Sequence, residues 1–219
     1  MSTFYADRQD LAWALKAIQP HVARGDVLPA LEGLRLEVAV ATRTLYVVGT
    51  DRYTLGVARV PITGDDLEPA ETAIDITACR EMIRRLRGKG ATGLIIWDDG
   101  EVTLDLRVRY PPAPGAAHFP DWRALLGRYL RYSAGMPGKS WAYNTEYLGR
   151  FAAARRDNTA LAVVPLRIPS PYGHAPGSAT VVLGPDFAGA VMGVRNDGDG
   201  DAPETLRRWR ELIPEGSKP

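Results

Sequence analysis

The chain has 219 residues, 45% of them hydrophobic and 24% charged, with a net charge of +1. That length can bury a core of one large or two small domains, and the balance excludes a disordered or fibrous chain. A single cysteine, Cys79, excludes an intramolecular disulfide and a multi-cysteine metal site and fits a reducing compartment. No apolar run approaches the ~20 residues of a spanning helix, and no basic stretch followed by an apolar one opens the sequence. A soluble, cytoplasmic protein is expected.

Residues 7–19 predict a helix, with Leu11, Ala14, Leu15 and Ile18 at i, i+3, i+4 and i+7, Asp7 placed to cap it and Pro20 to stop it. Strands follow over 33–39, 45–50 and 55–60, the first alternating Leu34, Leu36 and Val38 with charged residues. After turn signals at Gly64-Asp65-Asp66 and Pro69 the order begins again. Strand 72–76, helix 77–87 and strand 94–97 lead to a hairpin turn at Asp99-Gly100 and strand 101–107. A loop rich in Pro, Gly and Ala spans 111–117. Beyond Gly138 the order appears a third time, as strand 140–143, helix 145–156 and strand 161–166, then a Pro/Gly/Ser loop to Gly177 and strands 179–183 and 187–194. The fold class is therefore α/β (α+β): three βαβββ units with antiparallel sheets and helices on one face.

Three short motifs add to this pattern. Thr50-Asp51-Arg52-Tyr53-Thr54-Leu55-Gly56 follows the strand run Leu45-Tyr46-Val47-Val48; Phe119-Pro120-Asp121-Trp122 follows the second unit; Val191-Met192-Gly193-Val194-Arg195 closes the third. In this order and spacing they resemble the bacterial sliding clamp, the beta subunit of DNA polymerase III. In that family a Thr-Asp-x-x-x-Leu turn, a Phe-Pro-Asp-aromatic linker and a Met-Pro-Met-Arg ending converge on a pocket for partner peptides. By this resemblance residues 1–127 form a clamp-like domain of two units, similar to the family's middle domain. Residues 128–195 form a third unit, similar to the second half of its last domain, and 196–219 a linker and C-terminal helix. The family's first domain and the opening half of its third have no counterpart. A ring of twelve units would then need four copies, joined by interfaces unlike the family's.

The resemblance maps the pocket lining onto Leu31, Thr50, Arg52, Tyr53, Leu55, Pro120, Leu125, Met192, Val194 and Arg195. An apolar concave surface with a few polar groups is suited to a short peptide, and the thioether of Met192 to several of them. Gly193 stands where the family usually has proline and Thr54 where it usually has a basic residue, which implies an altered partner preference. Without the resemblance, Leu55, Val191 and Met192 read as strand core.

Clamps hold DNA with basic helix faces. Arg80, Arg84 and Arg87 form one stripe of the second helix, with Arg85 and Lys89 nearby, opposite Met82, Ile83 and Leu86. On the third helix Arg150, Arg155 and Arg156 oppose Leu148, Phe151 and Ala152. The plain alternative is a solvated helix face.

Catalysis finds little support. His21, His118 and His174 read as exposed loop residues, and no phosphate loop or serine elbow occurs. Cys79 begins a helix beside Arg80, which would lower its pKa, although a small helix residue without chemistry is the commoner case. Residues 197–201 imitate the start of a calcium loop but lack the glycine at its sixth position and the glutamate at its twelfth, so no metal or cofactor is expected. Residues 203–213 read as a short helix with Leu206, Trp209 and Ile213 on one side, either packed on the chain's own surface or lying in the peptide pocket.

The reading is a non-enzymatic, sliding-clamp-like processivity factor. Its expected partners are clamp-binding peptides of polymerase or repair proteins, duplex DNA and further copies of itself, with no membrane. One alternative is a peptide-binding regulator or decoy that does not encircle DNA. Another is a small enzyme on this scaffold, with Asp51 and Asp121 as acids.

Overall fold

The computed structural model describes residues 2–25, 28–87, 92–131, 143–156, 159–168 and 177–193. The first unit runs β1 (Ser2–Asp7), α1 (Arg8–Ile18), β2 (Gly33–Ala39), β3 (Thr44–Thr50) and β4 (Thr54–Thr63). The second runs β5 (Ala70–Asp75), α2 (Ile76–Leu86), β6 (Thr92–Asp98), β7 (Glu101–Leu104) and β8 (Val108–Tyr110). Then come α3 (Trp122–Leu130), α4 (Thr145–Gly149) continued by a 3-10 turn over Arg150–Ala154, β9 (Ala162–Ile168), β10 (Gly177–Leu183) and β11 (Phe187–Met192).

The repeat is visible in how each helix starts. Asp7 ends β1 and accepts from the backbone N–H groups of Gln9 and Asp10; Asp75 ends β5 and accepts from those of Thr77 and Ala78. Asn144 accepts from the Glu146 N–H ahead of α4. Each side chain satisfies donors that the first helical turn leaves unpaired.

The first two units exchange strands. β1 pairs with β6 and β5 with β2, so the first strand of each unit completes the sheet of the other. In both ladders the cap residue stands opposite the first residue of the other unit's second strand, Asp7 opposite Thr92 and Asp75 opposite Gly33. α1 and α2 consequently lie side by side, with Cys79 Sγ 4.0 Å from the Leu15 carbonyl oxygen.

The sheet forks at β4. One edge of this strand lies along β3; on the other edge its end, at Ile62 and Thr63, pairs with β1, while Thr54–Ala58 pairs with β11. Beyond β11 the sheet continues through β10 to β9, which has no second strand partner among the described residues.

Three glycines stand side by side at this fork, Gly49 on β3, Gly56 on β4 and Gly189 on β11. A Cβ on Gly49 would lie 2.8 Å from Ile18 Cγ2, one on Gly56 2.6 Å from His21 Cδ2, and one on Gly189 2.6 Å from Phe151 Cε1. The end of α1 and the helical turn of the third unit therefore sink onto bare backbone.

Several boundaries differ from the expectations. β1 precedes the first helix, where no strand was predicted. The predicted strand 101–107 breaks after Leu104, because Asp105 and Leu106 adopt left-handed backbone (φ 54° and 56°) and the Asp105 carboxylate meets Arg8 Nη1 at 2.7 Å. The predicted helix 145–156 is α-helical only to Gly149. α3 was not predicted at all; Asp121 caps it and Trp122, Leu126 and Tyr129 are its buried side. The Asp99-Gly100 hairpin has the positive φ values (46° and 79°) of a type I′ turn, as its sequence implies. Of the predicted strand 140–143, residues 140–142 lie outside the described residues, as do the acidic segment 197–201 and the tail helix 203–213.

The glycine row yields a prediction. Gly56→Ala should lower stability by about 2 kcal/mol through overpacking against His21. Gly127→Ala, on α3 with nothing within 4 Å of its added carbon, should raise it by about 0.5–1 kcal/mol. Urea denaturation of the two variants beside the parent measures both.

Candidate functional site

The residues from Thr50 to Thr54 form a closed turn around one carboxylate. Asp51 Oδ1 accepts from the backbone N–H groups of Tyr53 (3.0 Å) and Thr54 (2.8 Å) and from the Thr54 hydroxyl (3.0 Å). The Thr50 hydroxyl donates to the Thr54 carbonyl at 2.7 Å and accepts from the Arg52 N–H at 3.3 Å. Arg52 at the tip has φ 80°, a left-handed backbone that the surrounding hydrogen bonds hold in place. This presents Arg52 and Tyr53 to solvent while Thr50, Thr54 and Leu55 are buried.

Arg150, from the third unit, closes the turn. Its guanidinium pairs with Asp51 Oδ2 and donates to Thr54 Oγ1 at 3.2 Å, and its own side chain is only 17% exposed. It also lies over the Tyr147 ring, 4.7 Å from the centroid, and Tyr147 stacks on Tyr53 at 5.3 Å. Burial by itself would raise the Asp51 pKa, but the Arg150 guanidinium and the Thr54 N–H and hydroxyl outweigh it and hold the carboxyl below its usual range. This environment favours the ionised carboxylate of Asp51 over a proton donor. Asp121, the other candidate acid, accepts from the Ala124 N–H as the cap of α3.

The three motifs meet here. The Met192 N–H donates to the Tyr53 carbonyl at 2.9 Å, extending the β11–β4 ladder past Thr54. On the sheet face opposite α1 and α2, Phe119, Trp122 and Leu126 cover Val48, Leu55 and Val57. Trp122 Nε1 donates to Glu37 at 3.1 Å, which anchors this helix across β2.

Of the predicted pocket residues, Arg52, Tyr53, Pro120 and Met192 are exposed and Leu125 is half-buried. Leu31, Thr50 and Leu55 are buried, Leu55 because α3 lies over it; Thr50 and Leu55 support the surface, while Leu31 keeps an edge on the cleft beside Tyr53. Val194 and Arg195 lie outside the described residues. Tyr53 (47% exposed) and Met192 (45%) leave the largest apolar side chains of the set open to solvent. Beside Tyr53 lies a cleft of about 380 Å³, walled by Leu28, Leu31 and Arg24 on one side and by Glu146, Tyr147 and Arg150 on the other. Tyr147 was missed in the sequence, where its ring reads as one more helix residue.

The basic faces diverge. On α2, Arg80, Arg84 and Arg87 are exposed as expected, and neither Arg80 nor Arg87 has an ion-pair partner among the described residues. Lys89 lies outside them. On the third unit Arg150 is committed to Asp51, and Arg156 pairs with Asp10 of α1 while lying 5.5 Å from the Trp13 ring, so only Arg155 remains open. Leu148 and Ala152, expected in the core, are exposed; Phe151 is buried.

His21 corrects another expectation, that of an exposed loop residue. It is fully buried beneath the Asp51–Arg150 pair, with Phe151 at 4.7 Å and Phe187 at 6.2 Å. Its pKa falls to about 3, first through burial and then through the Arg150 charge, against a raising effect of Asp51. Cys79, for which a lowered pKa was considered, is instead buried and pushed up to about 12. His118 is exposed, and His174 lies outside the described residues. Among the described residues no cluster of three or more metal-ligating side chains occurs, and no helix is long and apolar enough to cross a membrane.

Comparison with solved structures decides the fold. The DNA polymerase sliding clamp of Bacillus subtilis superposes with a TM-score of 0.63 at 11% identity, covering 98% of this chain and 75% of that one. The fold is that of the bacterial sliding clamp. The DNA polymerase III beta subunit of Thermotoga maritima (TM-score 0.61, 13% identity, 98% and 68% covered) and the Caulobacter crescentus beta sliding clamp (0.64, 16%, 89% and 66%) agree. No protein-family model matches the sequence, and no curated protein does.

Two predictions follow from the turn. Removing one partner of the Asp51–Arg150 pair leaves the other charge half-buried and unmatched, so Arg150→Ala and Asp51→Asn should each cost about 3 kcal/mol. The double variant should cost clearly less than the sum in a urea-denaturation cycle. His21 stays neutral in the folded protein but is protonated when unfolded below its ordinary value of 6.5. The unfolded chain thus binds the extra proton, and stability should fall as pH drops from about 6.5 toward 3, by about 1.4 kcal/mol per pH unit. Unfolding midpoints of the parent at pH 7 and 5 should show this slope, and His21→Leu should remove it between those pH values.

Proposed function

We propose that the chain is a non-enzymatic sliding-clamp-like protein, a two-unit domain followed by a half domain, that takes up short peptide segments of replication or repair proteins beside Tyr53 and Met192. The observation that carries this reading is the Met192–Tyr53 hydrogen bond, which seats the end of the third unit on the turn of the first, with α3 flanking the same strand. Two exposed apolar side chains next to a cleft containing Arg24, Arg52 and Tyr147 offer what a short amphipathic peptide needs: an anchor surface and donors for its backbone. A labelled peptide carrying the clamp-binding segment of a bacterial replicative polymerase should bind, measured by fluorescence anisotropy. Tyr53→Ala and Met192→Ala should each weaken it about tenfold, as for side chains at the centre of a small interface. Absence of binding at millimolar peptide would end this reading.

We further propose that α2 contacts duplex DNA through Arg80, Arg84 and Arg87. Their exposed stripe suits phosphate contact without base readout. Replacing all three by alanine should reduce the slope of log affinity against log salt by about 3 × 0.9. Retention on closed circular but not on linearised DNA would mark encirclement.

The internal ion pairs of Arg150 and Arg156 favour a second reading. With Arg150 and Arg156 engaged in ion pairs, the third helix presents little of the basic face that encirclement would use, which suits a regulator that competes for clamp-binding peptides without enclosing DNA. Peptide binding with equal, weak retention on circular and linear DNA would select it.

A further inference from the structure

Among the described residues five other than glycine have positive φ, and one of them stands apart. Arg43, Asp99, Asp105 and Leu106 lie between 46° and 56°, close to the small left-handed well that ordinary side chains can enter. Arg52 lies at 80°, in the company of Gly25 (90°), Gly100 (79°) and Gly115 (77°). A glycine would take this position without strain, yet the tip of the turn carries a long cation. Nothing inside the fold uses that side chain. Arg52 is exposed, has no ion-pair partner among the described residues, and holds its guanidinium 5.9 Å from the centroid of the Tyr53 ring.

Arg52 lines the cleft beside Tyr53, where the other charges are only partly matched. Arg150 is met by Asp51 and, at 3.6 Å, by Glu146. Arg24 lines the same cleft, is exposed, and also lacks an ion-pair partner among the described residues. The Ala23 N–H, bonded to the Leu31 carbonyl at 2.9 Å, ties its segment to that wall. Two uncommitted guanidiniums therefore stand beside the apolar surface of Leu28 and Tyr53, both partly open to solvent. The basic residue that the resemblance to clamps places at position 54 is a buried threonine here, so the positive charge of the turn sits two residues earlier and on the outside.

We propose that Arg52 is a specificity-determining residue, selecting peptides that carry a carboxylate next to their apolar anchor, with Arg24 adding to the positive potential of the cleft. The proposal rests on the peptide-binding reading above and narrows its ligand class. A guanidinium presents a planar fork of N–H donors that fits the two oxygens of a carboxylate, while Tyr53 and Leu28 take the neighbouring apolar side chain. Glu146, on the other wall from Arg24 and with its side chain 76% exposed, would repel a row of phosphates running through the cleft, which a single carboxylate avoids. The backbone strain at Arg52 then belongs to the site, since it holds the donor at the cleft before a ligand arrives. An acidic side chain and a free C-terminus offer the same group.

Fluorescence anisotropy at low salt tests this with three peptides that share one apolar anchor. The first has aspartates on both sides of the anchor and an amidated C-terminus, the second asparagines and the same amide, the third asparagines and a free carboxylate directly after the anchor. The parent should bind the first, the third or both about fivefold more tightly than the second, as for a partly exposed ion pair, and which of them gains identifies the source of the carboxylate. Arg52→Gly should abolish that gain while still binding the neutral peptide, and its urea midpoint should stand at or above the parent's, because glycine suits φ 80°. Equal binding of all three peptides by the parent, or a gain that survives in Arg52→Gly, overturns the proposal and leaves peptide binding standing. A lower urea midpoint for Arg52→Gly also overturns it, by assigning the arginine to folding. Failure of every peptide to bind the parent ends the peptide reading itself and this proposal with it.

Discussion

Three adjacent positions without side chains govern the architecture. Gly49, Gly56 and Gly189 occupy one register of three neighbouring strands, and Ile18, His21 and Phe151 fill the space their side chains would need. A methyl group on any one of them would push the end of α1 or the third unit's helical turn off the sheet by overlap with rings and a β-branched side chain, which give way at substantial cost. The close approach seals His21 in a site dry enough to keep its ring neutral, and it brings Arg150 within reach of Asp51. The position of the third unit on the first thus follows from backbone that is bare on one side.

The electrostatic arrangement above that row shows one group displacing another function. The resemblance to clamps leads to a basic residue at position 54 and to a basic face on the third helix. Instead Thr54 offers a hydroxyl that donates to Asp51 and accepts from Arg150, and the guanidinium arrives from a different element. A charge so engaged is a poor contact for phosphate, because leaving its carboxylate would expose a half-buried anion. Arg156 repeats the substitution on Asp10. Both guanidiniums brace the third unit against the first, whereas Arg80 and Arg87 of α2 have no ion-pair partner among the described residues.

The repeat was legible because its signals are local: the Asp7 acceptor at the first helix start, apolar residues at helical spacing on α1 and α2, and alternation on β2. The sheet fork was not, because β11 meets β4 across more than a hundred residues and nothing in either strand's composition names its neighbour. α3 escaped notice although Asp121, Trp122, Leu126 and Tyr129 have the capping and spacing of a helix, since the preceding prolines and glycines read as linker. The outward positions of Leu148 and Val163 look like core in the sequence, and their exposure could be learned only from coordinates. His21 misled for the opposite reason. A histidine after a proline at a helix end looks exposed, and only the glycines opposite make room to bury it.

The ladder that carries the third unit has an unusual mechanical character. Five residue pairs, Ala58 with Phe187 through Thr54 with Val191, join β4 to β11. At one end Arg59 Nε bonds Asp186 at 2.8 Å while its backbone N–H bonds the Asp186 carbonyl at 2.9 Å; at the other stand the Met192–Tyr53 bond and the Asp51–Arg150 pair. A short two-stranded junction normally opens by fraying from whichever terminus is weaker, one hydrogen bond at a time. With a charged pair beyond each terminus, neither is an easy starting point, so separation of the two units must load all five pairs together. A load transmitted along the sheet would then be shared in shear rather than concentrated at a peeling edge, which makes this short ladder stiffer than its length suggests.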